Sequence, residues 1–337
     1  MTTSPDPSPA AAPSPVRNVL AVVSPHVGGR AAGAALAGLF PGQARVTVVE
    51  TTDEDPEALR AAHLLITGLG PVTAAHLAAA PDLEVVQCAS HGFDYVDVDA
   101  ARERGIPVCN IGSSGAEKQN VAEQTFALML ALAKQLVPAH QALVEADWAL
   151  PRLQRSITEL SGKTLGIVGL GHIGEEVARR AVAFDMNIVY TGPKPAAPET
   201  EARLGGARHL DLDALLRTSD YVTLHAPLTE HTRNLLDAAR LALLKPTAFV
   251  INTARGALID QDALADALAA GTLAGAGLDV FDPEPPTAAL RLLKAPNVVL
   301  SPHVAGVTRE TLVRIALAAV QNVLGHLAGK PLRDVVS

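Results

Sequence analysis

From residue 16 onward, short apolar runs alternate with longer stretches rich in Ala and Leu. The runs are brief, and those at 63–68, 83–90 and 106–111 end near Gly, Ser or Asn, as expected of strands that are buried on both faces of a parallel sheet. The strands predicted in the first part of the chain cover residues 16–24, 44–50, 63–68, 83–90 and 106–111. The pattern therefore predicts a small open α/β sheet in this part.

A long apolar helix, predicted over residues 121–136, separates this part from a second one with the same alternation. It is apolar on most faces, so we expect burial on several sides. The later predicted strands cover residues 163–169, 186–192, 221–227, 248–253 and 274–281. The later predicted helices cover residues 175–184, 259–271 and 310–329, with Asp260 as the N-cap and Gly271 as the C-terminal stop of the second. The pattern predicts two doubly wound α/β domains.

Composition and charge exclude several classes of function. The chain has 337 residues, of which 48% are hydrophobic and 18% are charged, a balance typical of a packed enzyme. Lys and Arg total 27 against 35 Asp and Glu, so the net charge of −8 provides no broad cationic field for a nucleic acid. The longest apolar run ends at Lys134, far short of the roughly 20 residues that span a bilayer. We expect neither a nucleic-acid nor a membrane partner.

The two cysteines and the amino-terminal segment bear on the compartment. Cys88 and Cys109 lack the spacing of a zinc or redox site, so no metal is predicted and a reducing environment fits. Residues 1–15 are rich in Pro, Ser and Ala, without the basic and apolar regions of a signal peptide. We expect a disordered tail and a cytoplasmic protein.

The segment GLGHIG at residues 169–174 has the Gly-x-Gly-x-x-Gly spacing. The spacing alone is weak, but here it follows a predicted strand and opens a predicted helix. In that context the glycines permit a tight turn, close approach of a pyrophosphate and helix packing. The sequence therefore predicts a dinucleotide-binding loop, formed by Gly169, Leu170, Gly171, His172, Ile173 and Gly174.

The strand that follows this loop bears on the type of nicotinamide cofactor. NAD-preferring loops usually place an Asp or Glu about 20 residues on, where it binds the ribose hydroxyls. Here Thr191 occupies that place, and Lys194 follows. A hydroxyl and a cation without a carboxylate suit a 2′-phosphate. We expect NADP(H) to be favoured over NAD(H); the alternative, that Lys194 is an ordinary solvated lysine, stays open.

Three polar residues that hydrophobic patterning does not require lie just beyond predicted strands: Arg255, Glu284 and His303. The carboxyl ends of the strands are where open α/β sheets build their binding crevice, so the three side chains can share one site. Taken singly, each is more often a surface or structural residue. Their order downstream of the glycine loop favours a catalytic site.

Several segments, taken in order, make the sequence resemble the D-isomer-specific 2-hydroxyacid dehydrogenase family over residues 16–334. The matching segments are GKTLGIVGLGHIG (162–174), SDYVTLHAPLTEHTRNLL (219–236), LKPTAFVINTARGALID (244–260), AGAGLDVFDPEPP (274–286) and LSPHVAGVTRET (300–311). The resemblance implies a Rossmann cofactor domain at residues 113–307, inserted into a flavodoxin-like substrate domain at residues 16–112. It also implies that residues 308–337 return to the substrate domain, and that the protein is a homodimer.

The resemblance assigns roles to individual residues. His303 matches the acid/base histidine, Glu284 its carboxylate partner, and Arg255 the arginine that binds the substrate carboxylate and carbonyl oxygen. Further contacts are implied for Asp279 with the nicotinamide carboxamide, for His225, Ala226, Pro227 and Thr253 with the cofactor, and for His91 and Gly92 with the substrate carboxylate.

The function implied is NAD(P)H-dependent reduction of a 2-oxoacid, such as glyoxylate, hydroxypyruvate or a larger acid, to the D-2-hydroxyacid. The stretch at residues 110–121 is about two residues longer than the form typical of the family, so the substrate side chain is open. The alternative is a cofactor-sensing, corepressor-like binding protein of the same fold without significant turnover.

Overall fold

The computed structural model describes residues 16–42 and 44–337, so the predicted disordered tail lies outside the described residues. The chain divides into two compact units: one contains the chain up to Ser114 together with Ile315–Ser337, and the other is Gly115–Arg314. The second boundary between these units falls inside the C-terminal helix, after Arg314. The first turns of that helix belong to the second unit, where the Arg314 guanidinium donates Nε–H to the carbonyl of Ala116 at 3.1 Å.

The first unit is built on a five-stranded parallel sheet in the order β2-β1-β3-β4-β5. This is the flavodoxin-like order of a doubly wound sheet. Its strands are β1 (Arg17–Val23), β2 (Ala44–Val49), β3 (Leu64–Gly68), β4 (Val85–Cys88) and β5 (Val108–Cys109). Its helices are α1 (Gly29–Ala37), α2 (Pro56–Arg60), α3 (Ala74–Ala79) and α4 (Val98–Glu103). The end of the chain joins this sheet, since the buried Asn322 donates an amide hydrogen to Gln87 of β4 at 2.7 Å.

The second unit is built on a seven-stranded parallel sheet in the order β12-β11-β10-β9-β6-β7-β8. Its strands are β6 (Thr164–Val168), β7 (Asn187–Thr191), β8 (Arg208–His209), β9 (Tyr221–Leu224), β10 (Phe249–Asn252), β11 (Gly275–Leu278) and β12 (Val298–Leu300). Its helices are α5 (Lys118–Ala133), α6 (Leu136–Val144), α7 (Leu150–Leu153), α8 (His172–Ala183), α9 (Pro198–Arg203), α10 (Leu212–Thr218), α11 (Ala238–Leu241), α12 (Gln261–Ala269) and the start of α13 (Arg309–Leu327). The order is that of a Rossmann sheet with one added strand, which confirms the predicted fold class.

Helix α5 is the long apolar helix that the sequence predicts, and it packs on the second sheet. Phe126, Met129 and Leu132 are buried in the core on this face of the sheet. A Cβ built at Gly277 of β11 would lie only 2.9 Å from the Cβ of Leu128, so α5 approaches the sheet closely where this strand has no side chain. Among the described residues, no single helix is long and apolar enough to cross a membrane. Only α5 and α6 taken together have the length and apolar composition of a membrane-spanning helix, and the two are bent by 60° relative to each other.

The element boundaries differ from the prediction where local contacts extend a helix or shorten a strand. Helix α5 begins at Lys118 rather than at residue 121, and α8 begins inside the glycine loop at His172. The short strand β8 was not predicted, and the strand expected before His303, which is β12, was predicted without bounds. For α12 the prediction is confirmed: Asp260 accepts the backbone N–H of Ala263 as N-cap, and Gly271 adopts a φ of 68° after the last turn.

Candidate active site

The three glycines of the loop between β6 and α8 meet three different surroundings. A Cβ at Gly169, where φ is 98°, would lie 2.7 Å from the carbonyl oxygen of His225, and one at Gly174 would lie 2.2 Å from the carbonyl oxygen of Gly169. A Cβ at Gly171 would meet nothing within 4 Å. The outer glycines therefore permit close backbone packing, while the middle one leaves open space at the amino end of α8. This is the place where a pyrophosphate meets the positive end of a helix dipole, so the loop fits a dinucleotide.

The loop that follows β7 is held from two sides. The imidazole of His209 bonds through Nε2 to the carbonyl of Gly192 at 3.2 Å, and the Tyr190 hydroxyl accepts the backbone N–H of Ala196 at 2.7 Å. Thr191 is half-buried at the strand end, whereas Lys194 is exposed. No carboxylate occurs in residues 191–196. The loop thus offers a hydroxyl and an exposed cation and contains no carboxylate of its own.

His225, at the carboxyl end of β9, carries a neutral imidazole. Its Nε2 lies 2.9 Å from the Thr223 hydroxyl, and its backbone N–H donates to the carbonyl of Val168 at 2.8 Å. The residue as a whole is half-exposed, but its imidazole is buried. This burial lowers the pKa of His225 to about 3, so the ring stays uncharged at neutral pH. His225 therefore supplies shape and hydrogen bonding beside the glycine loop, but no positive charge.

The side chains of His303 and Glu284 are paired. His303 Nδ1 lies 2.6 Å from Glu284 Oε2, and the other carboxylate oxygen accepts the backbone N–H of Phe281 at 2.8 Å. Burial opposes ionisation of Glu284, but the bond to His303 and the nearby charges outweigh it and hold the pKa of Glu284 below its ordinary value. An ionised carboxylate on Nδ1 favours the imidazolium. Because Nδ1 is bonded to Glu284, Nε2 is the ring nitrogen that could exchange a proton with a bound molecule.

His303 lies on a loop whose residues before and after the histidine are hydrogen-bonded to Asp279. The backbone N–H of His303 donates to the Asp279 carbonyl at 2.7 Å. One carboxylate oxygen of Asp279 accepts the Ser301 hydroxyl at 2.5 Å and the Val304 N–H at 3.0 Å, and the other accepts the Ala305 N–H at 2.8 Å. His303 has a φ of 53°, a conformation that a non-glycine residue keeps only when its surroundings impose it. Burial raises the pKa of Asp279, although these bonds and His303 oppose the rise.

Arg255 follows β10 on a turn that Asn252 braces. The buried Asn252 amide donates to the carbonyl of Arg255 at 2.8 Å, and its oxygen accepts the N–H of Ala254 at 3.0 Å. The Arg255 guanidinium donates to the Ala254 carbonyl at 2.8 Å. Its charge also contributes to the lowered pKa of Glu284, so the guanidinium lies close to the acid/base pair.

The loops that carry Arg255 and Glu284 are in direct backbone contact. A Cβ built at Gly256 would lie 2.1 Å from the carbonyl carbon of Phe281, a separation that only glycine avoids. The residue after Arg255 thus packs against the residue that donates its N–H to Glu284. This packing fixes the separation of the backbones of the two loops that carry Arg255 and Glu284.

The structure brings Arg255, Glu284 and His303 together at the carboxyl edge of the sheet that also carries the glycine loop. His91 and Gly92 lie in the first unit, in the loop after β4, where Asn110 donates to the His91 carbonyl at 2.8 Å and the Ser90 hydroxyl donates to the Gly92 carbonyl at 2.6 Å. Their contact with a substrate stays a prediction. Sequence reasoning missed the supporting residues Asn252, Gly256 and Ser301, whose only signal is their place next to predicted strand ends.

A Rossmann sheet with a glycine loop, a carboxylate-backed imidazole and a nearby guanidinium defines a nicotinamide-dependent dehydrogenase. The family model described as D-isomer specific 2-hydroxyacid dehydrogenase, NAD binding domain, matches residues 126–305. The chain belongs to this family and is an oxidoreductase, as the sequence predicted.

Relatives and solved structures agree with this assignment. The chain is 40% identical to a hydroxypyruvate reductase of Thermotoga maritima, over 78% of this chain and 84% of the relative. It is 41% identical to a glyoxylate reductase of Aeropyrum pernix, over 77% of this chain and 78% of the relative. It superimposes with a TM-score of 0.82 on the crystal structure of a glyoxylate reductase from Paecilomyes thermophila, at 30% identity and covering 96% and 98% of the two chains.

Proposed function

We propose that this protein reduces a small 2-oxoacid, with glyoxylate and hydroxypyruvate as the first candidates, to the D-2-hydroxyacid. The observation that carries the proposal is the His303–Glu284 pair at 2.6 Å, within the electrostatic reach of Arg255. A 2-oxoacid has a carboxylate for the guanidinium and a carbonyl oxygen for the imidazolium. The names of the similar reductases support the same substrates.

The proposed roles follow from the chemistry of the reduction. The Arg255 guanidinium binds the substrate carboxylate and polarises the carbonyl, for which a planar fork of donors is suited. His303 donates the Nε2 proton to the carbonyl oxygen and becomes neutral, and Glu284 favours the charged imidazolium before that transfer. A bound dihydronicotinamide supplies the hydride to the carbonyl carbon.

The cofactor contacts are proposed along the carboxyl edge of the second sheet. Residues 169–174 bind the pyrophosphate, and His225, Ala226, Pro227 and Thr253 line the path to the nicotinamide. Asp279 already accepts three hydrogen bonds in the His303 loop. An ionised carboxylate has about four acceptor positions, so one remains for the nicotinamide carboxamide.

We propose that the protein favours NADPH over NADH. The support is the loop after β7, where Thr191 and the exposed Lys194 stand without a carboxylate. Replacing Lys194 by alanine is expected to lower kcat/KM for NADPH about fivefold, because one exposed charge-assisted bond to the 2′-phosphate is lost, and to leave kcat/KM for NADH unchanged. Steady-state kinetics with both cofactors measures this. A tenfold preference of the wild-type protein for NADH would contradict the proposal.

The substrate proposal is tested with a panel of 2-oxoacids, each assayed with NADH and NADPH. The panel contains glyoxylate, hydroxypyruvate, pyruvate and phenylpyruvate, and the oxidation of the cofactor is followed by its absorbance. We expect the highest kcat/KM for glyoxylate or hydroxypyruvate. A protein that quenches or shifts NADPH fluorescence on binding, yet oxidises it with none of these acids, would be a cofactor-sensing binding protein instead.

We propose that the protein is a homodimer that associates through the α6 patch, six exposed apolar residues between positions 136 and 150. They are Leu136, Val137, Leu143, Val144, Trp148 and Leu150, and each is at least half exposed. Six exposed apolar side chains within fifteen residues of sequence support an association site there. The two cysteines are buried free thiols, which supports a reducing compartment such as the cytoplasm.

Replacing Val144 by aspartate is expected to convert the dimer into a monomer, because two buried carboxylates would face an apolar interface without partners. Light scattering coupled to size exclusion measures the change. Val313, which is 60% exposed outside the α6 patch, provides the matched control Val313→Asp, which should stay dimeric. A Val144→Asp protein that remains a dimer would place the interface elsewhere.

A further inference from the structure

Two adjacent residues of α5 reach the bases of the two loops that carry the proposed catalytic side chains. Gln124 donates its amide Nε2 to the Ser301 hydroxyl at 3.0 Å. Thr125 meets the Thr253 hydroxyl at 3.1 Å. Ser301 precedes His303 by two residues, and Thr253 precedes Arg255 by two residues. One turn of α5 therefore contacts each loop at a position two residues before its proposed catalytic side chain.

The Gln124 contact continues into the bonds that fix His303. The Ser301 hydroxyl accepts a hydrogen bond from Gln124 and donates its own to the Asp279 carboxylate at 2.5 Å. Asp279 in turn holds the backbone on both sides of the imidazole. Losing the amide leaves the Ser301–Asp279 bond without its outer support. The Gln124 contact thus bears on the position of the imidazole and on its bond to Glu284.

The Thr125 contact has a defined direction. The Thr125 hydroxyl donates its single proton to the carbonyl of Val121 at 2.8 Å, so the Thr253 hydroxyl is the donor in the bond between the two threonines. Both side chains are buried, so water does not replace this bond at low cost. Thr253 is thereby oriented at the start of the turn that carries Arg255.

Helix α5 is also joined to the helix of the glycine loop. Lys118 lies 3.4 Å from Glu176 of α8, and Gln119 accepts a hydrogen bond from Arg180 of α8 at 2.9 Å. The Arg179, Arg180 and Lys118 side chains overcome the burial of Glu176 and lower its pKa to about 2, so this connection stays charged at neutral pH. The same rigid helix thus touches the supports of the pyrophosphate loop, of Arg255 and of His303.

We propose that Gln124 and Thr125 are positioning residues, through which α5 sets the placement of His303 and Arg255 relative to each other. Gln124 acts on proton transfer through the His303 loop, and Thr125 acts on carboxylate binding through the Arg255 turn. The proposal rests on the roles assigned above to His303 and Arg255. It predicts that two neighbouring substitutions on one helix alter different kinetic parameters.

The test uses two substitutions that keep side-chain size, Gln124→Met and Thr125→Val. Gln124→Met is expected to lower kcat about tenfold, with KM for the 2-oxoacid within about twofold, since the acid is misplaced while the guanidinium is not. The pH at which reduction falls by half should move down, because the imidazole loses part of its carboxylate support. Thr125→Val is expected to raise KM for the 2-oxoacid about tenfold and to leave the pH profile unchanged.

Three further variants make the result specific. Ala127, exposed on the same helix, provides the control Ala127→Gln, which should match the wild-type kinetics. Thr125→Ser keeps the hydroxyl and should restore the wild-type KM. Gln124→Met combined with Ser301→Ala should be no worse than Ser301→Ala alone, because both changes interrupt the same line of bonds.

A proportional change of kcat and KM in both variants, together with a lowered Tm, would overturn the proposal, as would wild-type kinetics in both. Failure of the assigned catalytic roles is separable, because the titration of the His303 imidazole can be followed by NMR without turnover. Gln124→Met should shift that titration and Thr125→Val should not, even if His303→Asn proved fully active.

Discussion

Replacing His303 by asparagine is expected to lower kcat for 2-oxoacid reduction by about 10²- to 10⁴-fold, the range typical of a lost general acid. Asparagine keeps a hydrogen-bonding side chain of similar size in the loop but cannot deliver a proton to the developing alkoxide. The measurement is the initial rate of NADPH oxidation at saturating 2-oxoacid. NADPH affinity, measured by fluorescence, should stay within about threefold, since the glycine loop is untouched.

Glu284→Gln provides the matched comparison, because it keeps the shape of the partner and removes only its charge. The pKa of Glu284 is held below its ordinary value, so the carboxylate is ionised throughout the neutral range and supports the imidazolium there. Reduction needs the protonated imidazole and is therefore lost as the pH rises. Without the carboxylate, that loss should begin at lower pH in the profile of kcat/KM. An unchanged profile, or a His303→Asn protein with normal turnover, would contradict the acid/base assignment.

The sequence predicted most of the fold because the buried strands carry their own signal. Runs such as residues 163–169 and 248–253 have apolar centres, and both form central strands of the second sheet. The strand β8 could not be predicted in this way. It consists only of Arg208 and His209, lies at the sheet edge and is half-exposed or exposed, so no apolar run marks it.

The sequence singled out the three polar side chains of the candidate site but not the residues that support them. Arg255, Glu284 and His303 stand out because polar residues beyond strand ends need an explanation other than packing. The hydrogen bonds that support the loops of these side chains join residues far apart in the chain, such as Gln124 with Ser301 and Thr125 with Thr253. A single sequence contains no distance between such residues. The left-handed backbone of His303 is likewise a product of the Asp279 contacts and not of a local preference.

Supporting residues of this kind share a physical origin at the carboxyl edge of the sheet. Each strand ends there with unpaired backbone groups, which Asn252 satisfies after β10 and Asp279 satisfies after β11 and β12. A buried polar group must be paired to be tolerated, so these two side chains fix the loops that they pair with. The catalytic geometry is in this sense a consequence of satisfying the ends of the strands.

Replacing Arg255 is the change for which we expect the second large effect. Arg255→Lys keeps the charge but loses the planar fork, and kcat/KM for the 2-oxoacid should fall about 10²-fold. Arg255→Gln loses both the charge and the fork, and its kcat/KM for the 2-oxoacid should fall about 10³-fold. This is the scale of losing a group that stabilises a developing oxyanion. Arg233 pairs with Asp282 at 3.2 Å on the surface and provides the control Arg233→Gln, which should change kcat/KM less than twofold.

The carboxylate role of Arg255 is isolated by a second substrate. The methyl ester of the same 2-oxoacid retains the carbonyl but has no charge for the guanidinium, so the wild-type protein should discriminate strongly against it. Arg255→Gln should lose most of that discrimination, because the acid then gains nothing over the ester at this position. Added guanidinium chloride should restore part of the activity of Arg255→Ala toward the acid and none toward the ester. If Arg255→Gln kept the full preference for the acid, the carboxylate would have to be bound by other groups, of which the backbone N–H groups at His91 and Gly92 are the first to test.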